Sequence, residues 1–197
     1  LEEVSLAMYP LVKRIFDIFF ALFALVVFSF PFLLVCLLVK LTSKGDILYW
    51  SDRVGLRNTI FSMPKVRTMK VDTPQVATHL LTDSRSFLTP IGGFLRKSSL
   101  DEIPQLWSIL IGDLSFVGPR PALYNQYDLI ELRTKSGVHE IPPGLTGLAQ
   151  VSGRDELSIE EKVLFDKEYL DKRSLLFDIY IILKTIRKVL IKEGVSH

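Results

Sequence analysis

The chain has 197 residues, 24 Lys plus Arg against 22 Asp plus Glu, and 48% apolar residues, which is the length of one domain with enough material for a real core. The charge balance excludes a polyelectrolyte role, so no nucleic-acid partner is expected. The single cysteine, Cys36, excludes an intrachain disulfide and a cysteine metal site, and His79, His139 and His197 share no metal-box spacing.

Mean hydropathy is +0.30, and the apolar excess lies near the N-terminus. Residues 18–39 form an uncharged run of 22, long enough to cross a hydrocarbon core of about 30 Å as a helix. The run is too long for a signal peptide and no small-residue cleavage site follows it. Ser29-Phe30-Pro31 sits near its middle, where proline removes one helical bond and Ser29 can satisfy a freed carbonyl. Lys13 and Arg14 flank one end, Lys40 and Lys44 the other, so the positive-inside tendency draws both ends to one side. These residues favour a re-entrant helix–break–helix over a kinked span.

Two extended runs over 46–69, separated by Gly55-Leu56-Arg57-Asn58, predict a β-hairpin. Arg53, Arg57, Lys65, Arg67 and Lys70 cluster there, and a solvated basic face beside anionic lipid explains most of them as well as a site does. Residues 71–86 read as a polar surface loop. A helix is expected from after Pro121 to about Lys135, and Ser158 opens a charged helix through Tyr169. Between them, 141–154 is rich in glycine and ends in Arg154. It can bring backbone amides close to a ligand, although a structural turn is the more frequent reason for such a segment. The last helix, over 175–192, is amphipathic with cations beside its apolar side, which suits either core docking or the bilayer interface.

The centre of the chain is Ser99-Leu100-Asp101-Glu102-Ile103-Pro104, ahead of an apolar helix of about three turns. Ser99 and Glu102 have capping-box spacing, and from spacing alone capping is the favoured reading. Pro104 argues for a later start, with Asp101 or Glu102 as the cap. Gly112-Asp113 and a Gly118-Pro119-Arg120-Pro121 corner follow the helix. Arg96, Arg120 and Arg154 come from three different segments and can converge on one anion. An acid pair among such cations suits phosphoryl chemistry, with one carboxylate attacking phosphorus and the other holding a divalent cation. Walker A, GxGxxG, CxxC and HExxH patterns are all missing.

With these motifs in this order, the chain resembles the bacterial sugar transferase family, specifically the small monotopic phosphoglycosyl transferases. The resemblance runs over Lys13-Arg14-Ile15-Phe16-Asp17, Lys65-Val66-Arg67-Thr68-Met69, the Asp101-Glu102 stretch, 112–121, Pro143-Gly144-Leu145-Thr146-Gly147 and Gln150-Val151-Ser152-Gly153-Arg154. It implies transfer of a sugar 1-phosphate from a UDP-sugar to undecaprenyl phosphate with release of UMP, the first membrane step of glycoconjugate synthesis. It further implies Asp101 as a nucleophile forming a covalent phosphosugar intermediate in a ping-pong cycle, and Glu102 as ligand to Mg²⁺. Arg120 and Arg154 match positions near nucleotide and phosphates, as does Pro119 in the same corner. Arg96, Asp113 and Lys65 match positions that shape the site. Ser29 and Pro31 match the membrane break. The expected architecture is a predominantly helical α+β monotopic membrane protein. Residues 1–44 would form the N-terminal segment and re-entrant helix, and 45–197 a catalytic domain with a small hairpin and interfacial amphipathic helices. The resemblance places that domain on the cytoplasmic face of the bacterial inner membrane, in contact with lipid and upstream of further glycosyltransferases. A membrane-anchored, non-catalytic binder of polyprenyl phosphate or nucleotide sugar is the alternative.

Overall fold

The computed structural model describes residues 2–74, 85–153 and 156–191. Helices dominate them, with two small two-stranded sheets. Helix α1, Glu2–Thr42, carries the apolar run. It is one helical element, not two helices with a break, and Pro10 and Pro31 both lie inside it. A proline removes one bond without ending a helix whose other turns persist, and here Ser29 Oγ donates to the Val26 carbonyl at 2.7 Å. The stretch Met8–Thr42 is long and apolar enough to cross a membrane and is little covered by the rest of the protein.

Both ends of α1 dock on the same body. Near its start, Lys13 pairs with Asp178 at 2.8 Å, and Tyr9 and Tyr169 donate to the same carboxylate at 3.0 and 2.7 Å. Arg14 donates to the carbonyls of Ile109 and Leu110, both at 2.6 Å. These are orphan acceptors at a helix C-terminus, where a cation also meets the favourable end of the dipole. Asp17 accepts from the Phe116 amide at 3.2 Å. Towards its other end, Val35 and Val39 are buried with Val66 and Leu95. Between the docked ends, Val26, Val27, Phe28 and Phe30 are exposed.

The expected hairpin forms from β1, Leu48–Val54, and β2, Ile60–Val66, antiparallel with Tyr49 opposite Lys65 and Arg53 opposite Phe61. Its turn is a short 3-10 segment in which Arg57 and Asn58 have positive φ. Residues 75–84 of the expected polar loop lie outside the described residues. Helix α2, Gly92–Ser98, then starts against Thr68, so closely that a Cβ on Gly92 would stand 2.1 Å from the Thr68 carbonyl oxygen. A 3-10 turn, Leu100–Glu102, leads to α3, Gln105–Ile111. The helix is therefore two turns long, not three. Its cap position is Pro104, and neither Ser99 nor Glu102 caps it through a side chain. The capping box fails because Ser99 has left-handed backbone, φ 56°, which ends α2 instead of opening α3.

Strand β3, Ser115–Val117, pairs in parallel with β4, Gly144–Thr146. Glycine is needed there for close approach, since a Cβ on Gly144 would meet the Gly118 amide nitrogen at 2.1 Å. Within this glycine-rich segment the Gly144 amide donates to the Pro119 carbonyl and the Thr146 carbonyl accepts from the Gly118 amide, so this part of it serves the structural role. Helices α4, Tyr127–Lys135, α5, Leu148–Ser152, α6, Ile159–Lys172, and α7, Leu175–Ile191, complete the fold. Ser158 and Glu161 make a reciprocal capping box on α6. Helix α7 buries Asp178 and Ile181 while Leu176, Ile179, Leu183 and Ile186 stay exposed. Core docking and an outward apolar stripe thus belong to two faces of one helix.

Candidate active site

Alternation along β1 and β2 puts Tyr49, Ser51 and Arg53 on one hairpin face with Phe61, Met63 and Lys65. Met63 plants this face on the core that holds Ile103, Leu106 and Ile109, and so sets Lys65 against the 3-10 turn. The left-handed Ser99 lets that turn follow α2 directly, bringing Arg96 to the same place.

Asp101 and Glu102 differ in surroundings although they are neighbours in sequence. Asp101 is 7% exposed, and burial pushes its carboxyl up to about 6. Lys65 and Arg96 oppose that shift while Glu102 adds to it. Glu102 is more open. Its Oε1 accepts from Lys65 Nζ at 2.9 Å and lies 4.0 Å from Arg120 Nη2. Lys65 is itself pulled below the usual lysine range by burial, with Glu102 acting against the shift. Arg96 Nε donates to Thr68 Oγ1 at 3.0 Å, which aims the guanidinium, and burial lowers it against the pull of Asp101.

Arg53 belongs to this group, although its sequence context reads as a basic surface. Its Nε donates to Ser51 Oγ at 3.0 Å and its Nη1 to the Pro121 carbonyl at 3.2 Å. Burial, then the nearby Arg120, bring it down to about 10. Period-two counting through the hairpin was the signal that would have found it, since Arg53 and Lys65 share a face. Four cations, Arg53, Lys65, Arg96 and Arg120, thus stand around two carboxylates. This surplus of positive charge suits a polyanionic substrate.

Other expected residues fall differently. Asp113 lines a separate recess of about 250 Å³ beside the hairpin turn, with Arg57, Thr59 and Phe61. Partial burial raises its carboxyl. Pro119 is buried and accepts from the Gly144 amide at 2.8 Å, which makes it part of the frame behind Arg120. Arg154 lies outside the described residues. Among the described residues no group of three or more His, Cys, Asp or Glu side chains could hold a metal ion. The Glu102 carboxylate, 21% exposed, is the kind of hard oxygen donor that Mg²⁺ takes while keeping most of its waters.

A sequence profile described as "Bacterial sugar transferase" matches residues 8–192. The chain is 40% identical over 189 residues to the uncharacterized sugar transferase EpsL of Bacillus subtilis (strain 168), covering 95% of this chain and 91% of EpsL. It is 35% identical over 202 residues to the undecaprenyl-phosphate galactose phosphotransferase of Salmonella typhimurium (strain LT2), covering 92% of this chain and 41% of that protein. To the UDP-glucose:undecaprenyl-phosphate glucose-1-phosphate transferase of Escherichia coli (strain K12) it is 37% identical over 196 residues, with 93% and 41% covered.

Proposed function

The chain belongs to the bacterial sugar transferase family, and we propose that it moves a sugar 1-phosphate from a UDP-sugar to undecaprenyl phosphate, releasing UMP. The observation that carries this reading is the Asp101–Glu102 pair set among Lys65, Arg53, Arg96 and Arg120. The names of two relatives support the donor and acceptor classes.

In the proposed cycle the Asp101 carboxylate attacks the phosphorus that bears the sugar. A P–O bond forms, and the bond from that phosphorus to the bridging oxygen breaks, so UMP leaves with the bridging oxygen. A phosphate oxygen of undecaprenyl phosphate then attacks the same phosphorus and expels the Asp101 carboxylate, giving the sugar diphospholipid and free enzyme. Cations at fixed positions stabilise charge on the pentavalent phosphorus without reorganising during the reaction. Lys65 keeps Glu102 oriented on the turn, and Arg120 reaches the same side from its proline-flanked corner. Glu102 would hold Mg²⁺, which when bound neutralises charge between the phosphates.

The reading includes a membrane topology in which α1 enters and leaves by one leaflet, with the catalytic domain on the cytoplasmic face of the inner membrane. Its support is that Lys13, Arg14 and Asp17 near one end and Val35 and Val39 near the other dock on one body, while 26–30 between them project outward. The exposed stripe of α7 supplies a second apolar surface for the interface.

The test is incubation with UDP-glucose or UDP-galactose alone, without lipid acceptor. The expected result is at most one UMP per enzyme and a sugar-phosphate mass increment on the peptide containing Asp101. Asp101→Asn should give neither. Full turnover by Asp101→Asn, or binding without UMP release under every donor and acceptor pair, would overturn the reading.

A further inference from the structure

Arg120 leaves 39% of its side chain open to solvent, yet the backbone carbonyls around it are all taken. Four consecutive carbonyls are taken by four different donors. Pro119 O accepts from the Gly144 amide at 2.8 Å, Arg120 O from Arg133 Nη1 at 2.7 Å, Pro121 O from Arg53 Nη1 at 3.2 Å, and Ala122 O from the Val54 amide at 2.9 Å. The two prolines bring no amide hydrogen and fix their own φ. Every donor but one comes from the sheets or from the site itself. The exception is Arg133 on α4.

Arg133 is built for this contact. Its Nε and Nη2 both donate to Asp166 Oδ2, at 2.9 and 2.6 Å, and Asp166 on α6 is 1% exposed. The planar fork is fixed by that buried carboxylate, and the remaining nitrogen is delivered to the Arg120 carbonyl. A lysine can pair with Asp166 as a point charge, but it cannot hold the carboxylate with one edge and donate from the other. The ion pair alone therefore does not explain the choice of arginine, whereas the three-way bridge does.

We propose that Arg133, locked by Asp166, is a positioning residue that sets where the Arg120 guanidinium meets the phosphates of the donor. The inference rests on the reading of Arg120 as a substrate contact. It makes the α4–α6 pair a determinant of donor binding.

The experiment is a double-mutant cycle on UDP-sugar turnover, with Arg133→Lys, Arg120→Ala and the two combined. Arg133→Lys keeps a cation for Asp166 and loses the bond to Arg120 O. It should lower kcat/KM roughly tenfold or more, mainly through KM, because small misplacements of a binding group are costly in rate. In the Arg120→Ala background the same change should have less than about a twofold effect, since residues acting through one another are not additive. Equal losses in both backgrounds would make Arg133 a general structural residue and overturn the proposal, as would Arg133→Lys with unchanged kinetics. An Arg120→Ala enzyme with normal KM and kcat would instead overturn the substrate-contact reading beneath it. Thermal melting of each variant accompanies the kinetics. If Arg133→Lys does not fold, Asp166→Asn, which keeps a side-chain oxygen facing Arg133, enters the same cycle with the same expected pattern.

Discussion

Lys65 and Glu102 are bound by more than proximity, because each is largely covered and replacing either takes a charge-assisted hydrogen bond from the other. Their side chains are 17% and 21% exposed at 2.9 Å. Removing one partner of such a covered hydrogen bond costs about 1–3 kcal/mol. We predict that Lys65→Met and Glu102→Gln each lower thermal stability, and that the double variant is less destabilised than the sum of the two. Denaturation midpoints in detergent read this out, and strict additivity would show the pair is not coupled. Activity should not follow stability. The double variant stays inactive, because it lacks the Glu102 carboxylate that the proposed chemistry needs. Asp101 stands apart, for it is more buried than Glu102 and its raised carboxyl reflects that burial. Spacing alone does not distinguish the two acids; their difference in burial arises only in the fold.

Elements were legible where local rules decide them. The hairpin follows from two extended runs about a Gly55–Asn58 turn, α6 from a Ser158–Glu161 box, and α4 from its span before Ser136-Gly137. Local rules divide at the start of α3: Pro104 marks the later start that the helix has, whereas the Ser99-x-x-Glu102 spacing, which suggests a cap, is claimed by a tertiary contact. Glu102 turns to Lys65, and Ser99 takes a left-handed conformation that spacing does not announce. Contacts far apart in sequence were beyond local reading altogether. Arg133 with Asp166, and Arg14 with the end of α3, are ordinary charged residues until the chain is folded. The glycines carry a further test at this scale. Gly144→Ala places a Cβ against fixed backbone of Gly118 and should cost about 3 kcal/mol or more while displacing the Arg120 corner. Gly93→Ala, on α2 with only a Leu88 methyl at 3.7 Å, should be neutral or gain about 0.5–1 kcal/mol. Equal melting temperatures for the two would refute the close-approach argument.

At the scale of the whole molecule, the polar network around Asp178 joins α1 to the helices that frame the site. Asp178 is fully buried and takes Lys13, Tyr9 and Tyr169, while Tyr169 also reaches the Val117 carbonyl at 3.1 Å. Breaking such a buried pair costs about 3–5 kcal/mol because an uncompensated charge remains. This changes how Lys13 and Arg14 bear on topology. They do not act as free cations facing lipid, since Lys13 is spent on Asp178 and Arg14 on two carbonyls. The stronger argument is mechanical. A helix rises 1.5 Å per residue, so a straight span would part the Lys13 and Val39 ends by roughly the thickness of a bilayer. Docking of both ends on the rest of the protein supports the proposed topology, in which the two ends lie on one side. We therefore predict that, in a Cys36→Ser background, Met8→Cys and Lys44→Cys react with a membrane-impermeant maleimide from the same face of sealed vesicles. Phe30→Cys, 75% exposed yet midway along the apolar run, should react from neither face until detergent is added. Labelling of positions 8 and 44 from opposite faces would refute the re-entrant topology, and labelling of position 30 in intact vesicles would place that segment in water instead of lipid.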